Sequence, residues 1–194
     1  MTRPEAEARL ADLLRKAYSG ELAAALAYAG HARSLPAGAD RDRVLEIEAE
    51  ELHHREMVGG LLAAMGSGPS ERSERRARRI GSLLAALCGW TGWVAPMWGA
   101  GRLERGNIVE YEVAARLAVA AGRPGFTECL LAMAEVEWEH ERFFRERVLS
   151  RRLGRMAPLW EPPPPKGEIR GSFAREFPDL SGAAAPGRPA MVGV

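Results

Sequence analysis

The chain has 194 residues, is 46% hydrophobic and carries a net charge of +1. That length suits one domain with a real core, and the balanced charge gives no global field for nucleic acid. The two cysteines, Cys88 and Cys129, form no CxxC pair and no disulfide framework, which fits a reducing compartment. The opening residues MTRPEAEARLADLLRK are charged throughout and do not read as a secretory signal, so a cytoplasmic location is expected.

Leu10, Leu13, Leu14, Tyr18, Leu22 and Leu26 recur at helical spacing and predict a first helix over 4–33, with Pro4 near its start. SLPAGAD breaks it, and Asp40 can cap a second helix that runs to about Met65 before GSGPS. A third segment starts near Glu71. Its basic run, Arg75 to Arg79, has glutamates nearby and reads as a solvated face. From Ile80 to Gly101 the sequence carries no charge. As a helix it would be roughly 33 Å long, enough to span a bilayer. A span there would put the site described below on two sides of a membrane. The expected role is therefore a long apolar crossover helix, with Trp90, Trp93 and Trp98 covering the protein or dipping into a membrane interface. A fourth helix is predicted over about Leu103–Ala121 and, after GRPG, a fifth over about Phe126–Arg152. Residues 1–153 form the helical domain. Residues 154–194, with EPPPPKG and SGAAAPGRPAMVGV, read as an irregular tail.

Two Glu-x-x-His pairs carry the chemistry: Glu51 with His54, and Glu137 with His140. Residues three apart share a helix face, so each pair aims an oxygen and a nitrogen at one point. Glu51 and His54 share the face of Val44, Ile47, Val58, Leu61 and Leu62. Glu137 and His140 lie among Phe126, Leu130, Met133 and Phe144. The overlapping Glu50 and His53 point nearer the edge. Glu21 sits centrally on the first helix. On the fourth, Glu110 and Glu112 both flank the apolar arc. Height relative to the loops favours Glu110, while a match between GELAAALAYAG and EVAARLAVAAG favours Glu112. The chosen metal set is Glu21, Glu51, His54, Glu110, Glu137 and His140, the inventory of a carboxylate-bridged dinuclear site in an all-α four-helix bundle. Oxygen-rich ligands with two imidazoles suit two iron ions, with manganese as the alternative. His31 reads as exposed near a helix end, and Tyr28 as a core residue.

These residues resemble the ferritin-like diiron superfamily, and most closely the demethoxyubiquinone hydroxylase family. The likeness rests on Gly20-Glu21 with Tyr28 seven residues on, on Glu51 with His54, on the tryptophan-rich crossover, and on EWEH ending at His140. It covers about residues 10–148. The resemblance implies that Glu51 and Glu137 bridge the metals, that Glu21 and Glu110 are terminal ligands, and that His54 and His140 bind one metal each. It implies a diiron monooxygenase that uses dioxygen on a hydrophobic, quinone-like substrate. It also implies a homo-oligomer, with peripheral contact at the inner membrane. The chain departs from that pattern at Leu117, where the family has a second tyrosine, and in its proline-rich C-terminus. AEVEWEHERF also resembles rubrerythrins, although the CxxC pairs of their rubredoxin domain are missing. The alternative reading is a ferritin-like or rubrerythrin-like protein for iron oxidation, storage or peroxide scavenging.

Overall fold

The computed structural model describes residues 1–181, and among these the chain is all-helical, with seven α-helices and no strand. They are α1 (Arg3–Ser34), α2 (Ala39–Ala64), α3 (Glu71–Cys88), α4 (Val94–Ala120), α5 (Thr127–Ser150), α6 (Gly167–Glu176) and α7 (Pro178–Ser181). Helix α1 starts with a capping box. Glu5 N–H donates to Thr2 Oγ1, and Thr2 N–H donates to the Glu5 carboxylate.

Helix α1 packs on α2 and α3, α4 packs on α5, and α1 also faces α4. The core divides into two apolar clusters. One holds Leu10, Leu14, Val58, Leu62, Ile108 and Met133, and the other holds Tyr28, Val44, Ile47, Met97, Phe144 and Val148. Each buried Leu, Val or Ile contributes about 1.5–3 kcal/mol. Along every one of α1, α2, α4 and α5 a buried glutamate falls between residues of the two clusters. The order of clusters along each helix makes α1 and α5 run one way and α2 and α4 the other.

Helix α3 runs beside α1 in the same direction and carries the chain back. Small residues set their close approach: a Cβ on Gly30 would lie 2.3 Å from Ala85 Cα, and one on Gly81 2.7 Å from the Ala23 carbonyl oxygen. The expected long apolar crossover helix is not what forms. Ile80–Gly101 is split by a turn at residues 89–93, where Gly92 has φ +72° and the left-handed backbone that favours glycine. Its first part closes α3 and its second part opens α4, nine residues before the expected start at Leu103. No described helix is long and apolar enough to cross a membrane.

The irregular tail is also revised. Helix α6 buries Ile169 and Phe173 in the first cluster. Three indoles fasten the preceding segment: Trp98 donates to the Pro158 carbonyl, Trp138 to the Pro164 carbonyl and Trp160 to Glu141 Oε1, at 2.9, 2.8 and 2.6 Å. The low-complexity residues 182–194 lie outside the described part of the chain.

Candidate metal centre

The glutamates between the two clusters meet at one place. Ligand atoms of Glu21, Glu51, His54 and Glu137 lie within 4.8 Å of one another, as do those of Glu51, Glu104, Glu137 and His140. The two groups share Glu51 and Glu137. All six side chains are buried.

Five of the six residues picked out in the sequence are therefore brought together. The sixth, Glu110, is replaced by Glu104. Glu104, Ile108, Tyr111, Ala115 and Ala118 form one buried stripe on α4. Glu110 comes six residues after Glu104, roughly 120° round the helix at 100° per residue. It is half-buried and pairs with Lys16. Glu112 is also off the stripe and pairs with Arg116. Height relative to the GRPG loop is a poor guide because the two helices do not run level from it: Glu104 lies 16 residues before the end of α4 at Ala120, and Glu137 ten residues after the start of α5 at Thr127. The missed signal is a repeated spacing: Tyr28 follows Glu21 by seven residues, and Tyr111 follows Glu104 by seven. With Glu104 as the third glutamate, Tyr111 fills the place for which Leu117 had been the mismatch.

The tyrosines act reciprocally. Tyr28 on α1 donates its hydroxyl hydrogen to Glu104 on α4, and Tyr111 on α4 donates to Glu21 on α1. Burial first, and then the adjacent glutamates, push both phenols well above their usual range, so they remain donors. Asn107 adds a bond to Glu104 Oε2 at 2.8 Å.

The imidazoles cross over too. His54 Nδ1 lies 2.9 Å from Glu137 Oε1, and His140 Nδ1 lies 3.1 Å from Glu51 Oε1 and 3.6 Å from Glu137 Oε2. The outer nitrogen of His140, Nε2, meets Glu50 Oε2 at 2.6 Å. Glu50 is thus outside the cluster but touches it, whereas His53 is exposed.

This arrangement is starved of positive charge. Glu21 Oε2, both Glu51 oxygens and His140 Nδ1 are buried without a hydrogen bond. Burial, followed by the neighbouring carboxylates, drives Glu51 and Glu104 well above the usual carboxylate range, and burial also raises Glu21. Burial acts on Glu137 in the same sense, but its bonds to His140 and His54 win and lower it. Buried carboxylates are costly unless paired or bound to metal. Four carboxylates balance two divalent cations, and the unsatisfied atoms face the common centre, so the residues fit a pair of metal ions. Neither cysteine belongs to the cluster.

A cleft of about 770 Å³ lies between α1, α3 and α4. Half of its lining residues are alanine, leucine or glycine, Lys16, Arg102 and Glu110 also stand on it, and at its inner side it reaches Glu21, Tyr28, Asn107 and Tyr111. His31 also lines it. That residue is not exposed as expected but only 2% accessible, with no hydrogen bond to either ring nitrogen. Burial pushes its imidazole down to about 4.

No protein-family model, curated protein or solved structure matches this chain. The functional reading rests on the site itself.

Proposed function

We propose that the chain is a carboxylate-bridged diiron oxidoreductase on a ferritin-like four-helix bundle of α1, α2, α4 and α5, acting with dioxygen or peroxide on a hydrophobic, quinone-like substrate. One observation carries the reading: two ligand groups, each with a glutamate and a histidine of its own, share Glu51 and Glu137. Glu51 and Glu137 would bridge the two ions. Glu21 and His54 would complete one position, and Glu104 and His140 the other. An all oxygen-and-nitrogen set with two imidazoles suits iron, and then manganese, better than zinc or copper.

Bound iron would supply the electrons that reduce dioxygen or peroxide. The protein's own residues do the rest. Tyr28 and Tyr111 hold the Glu104 and Glu21 carboxylates in place and keep a proton on each phenol oxygen. The two apolar clusters exclude water above and below the polar layer. The cleft supports a hydrophobic substrate, because its apolar walls end at Glu21 rather than at an acidic channel suited to iron ions. This favours hydroxylation over the iron-oxidation and storage alternative. Peripheral membrane contact is supported by the exposed residues of α3 along the cleft and by the turn after it. Ile80, Leu83, Leu84, Leu87 and the 89% exposed Trp90 form an apolar row there, next to exposed Arg75, Arg76, Arg78 and Arg79.

Elemental analysis of protein made in iron-replete cells tests the centre. It should find about two irons per chain, lost in Glu51→Ala and reduced by at least one in His140→Ala. Incubating the iron-loaded protein with dioxygen, a reductant and short-chain quinone precursors should give product carrying one added oxygen by mass spectrometry. A folded protein that takes up no metal refutes the centre. A loaded protein that oxidises ferrous iron but none of these substrates refutes the hydroxylase reading.

A further inference from the structure

The glutamates, histidines and tyrosines of the two halves of the centre mirror each other. Glu21 answers to Glu104, Tyr28 to Tyr111, Glu51 to Glu137 and His54 to His140. Two residues lack a like counterpart: Asn107, three residues after Glu104, where Ala24 follows Glu21 by three, and Glu50, the residue immediately before the first Glu-x-x-His. The counterpart of Glu50 before the second is Val136, which offers no polar atom.

Glu50 accepts from His140 Nε2 at 2.6 Å and is itself held by Arg43, whose Nη1 lies 3.1 Å from Glu50 Oε2. That contact holds the ring with Nε2 toward Glu50 and Nδ1 facing Glu51 and Glu137. His54 has its Nδ1 on Glu137, and among the described residues no carboxylate meets its other nitrogen. A carboxylate on the outer nitrogen of a ligating histidine orients the ring and raises its basicity, and its loss typically weakens metal binding about 10–100-fold.

We propose that the two metal positions are inequivalent: Glu50, braced by Arg43, makes the Glu104–His140 position the tighter one, so that it fills first, and leaves the Glu21–His54 position, beside the cleft, the weaker and more exchangeable. Glu50 is a positioning residue that acts through His140. The inference rests on the dinuclear reading above.

Cobalt(II) titration of the full-length, metal-stripped protein tests it, followed by calorimetry and by the visible absorption of bound cobalt. Wild type should bind in two resolved steps. Glu50→Gln and Glu50→Ala should weaken the tight step about 10–100-fold and leave the weak step within about threefold. Arg43→Met, which touches no ligand, should shift the same step in the same direction by less. His140→Ala should abolish the tight step and His54→Ala the weak one. Glu50 is partly exposed, so its variants are expected to keep the wild-type helical circular dichroism, and that spectrum is recorded for each. Two equal steps in wild type, or Glu50 variants that move both steps together or neither, overturn the inequivalence while leaving the dinuclear centre standing. No cobalt binding by wild type overturns both.

Discussion

His31 gives the sharpest quantitative prediction. Its imidazole is buried and unpaired, and burial holds it at about 4 against an ordinary 6.5. Between those two values the unfolded chain binds a proton at this residue that the folded chain does not, so stability falls as the pH falls. The contribution is fully present above pH 6.5 and is lost as the pH drops through 4. Integrated from pH 7 to pH 4 it amounts to about 3 kcal/mol, at 1.36 kcal/mol per pKa unit. His31→Leu removes the titrating group and keeps an apolar side chain against the cleft. Urea unfolding of both proteins, at pH 7, 6, 5 and 4 with chelator throughout, isolates this residue, because other acid effects cancel in the difference. At pH 7 the variant should be the more stable by about 1 kcal/mol, since two buried nitrogens no longer lack partners. Its advantage should then grow by about 3 kcal/mol by pH 4. Parallel curves for the two proteins would refute the argument, for they would mean that His31 is solvated or paired in the folded state.

Glu110→Ala should leave iron content unchanged, whereas Glu104→Ala should lower it markedly, by elemental analysis; the reverse pattern would restore the assignment made from sequence. Gly101→Ala would put a Cβ 2.4 Å from Trp160 Cζ2. It should cost about 1–3 kcal/mol and expel the indole, seen as red-shifted tryptophan emission and faster proteolysis near the proline run; unchanged emission would show that the strap yields elsewhere. Arg55 donates to the Tyr18 carbonyl and to Glu74, and its guanidinium lies 3.7 Å from the Tyr18 ring centroid. Arg55→Ala should therefore lower stability by about 1–2 kcal/mol in thermal or urea unfolding; a loss no larger than that of Arg75→Ala, which removes an exposed pair with Glu71 on α3, would contradict this.

Periodicity made the helices and most of the site legible. Leu10, Leu14, Val58 and Leu62 mark core faces by spacing alone, and Glu51 with His54 and Glu137 with His140 fall on such faces. Four things were not legible. The sequence sets Glu110 against Glu112 and leaves out Glu104, which stands at the very start of the expected fourth helix because the uncharged run from Ile80 conceals the earlier start at Val94. The break in that run depends on a left-handed glycine, and five glycines offered too many places for it. His31 reads as a surface residue because nothing local to α1 shows that α3 will cover it. The tail misled for a related reason: its proline run is extended, but indoles from α4 and α5 supply the partners that local sequence lacks.

The crossed tyrosine bonds have a mechanical consequence. Helices α1 and α4 run in opposite directions, and each anchors the other at two heights, Glu21 with Tyr111 and Glu104 with Tyr28. If one helix slipped along the other by a single residue, about 1.5 Å, both bonds would part in the same stroke, because no axial displacement lengthens one while preserving the other. The pair works as a key with two teeth. The spacing between the Glu21 and Glu104 carboxylates is thus a property of the helix register, set by the chain before any ion arrives.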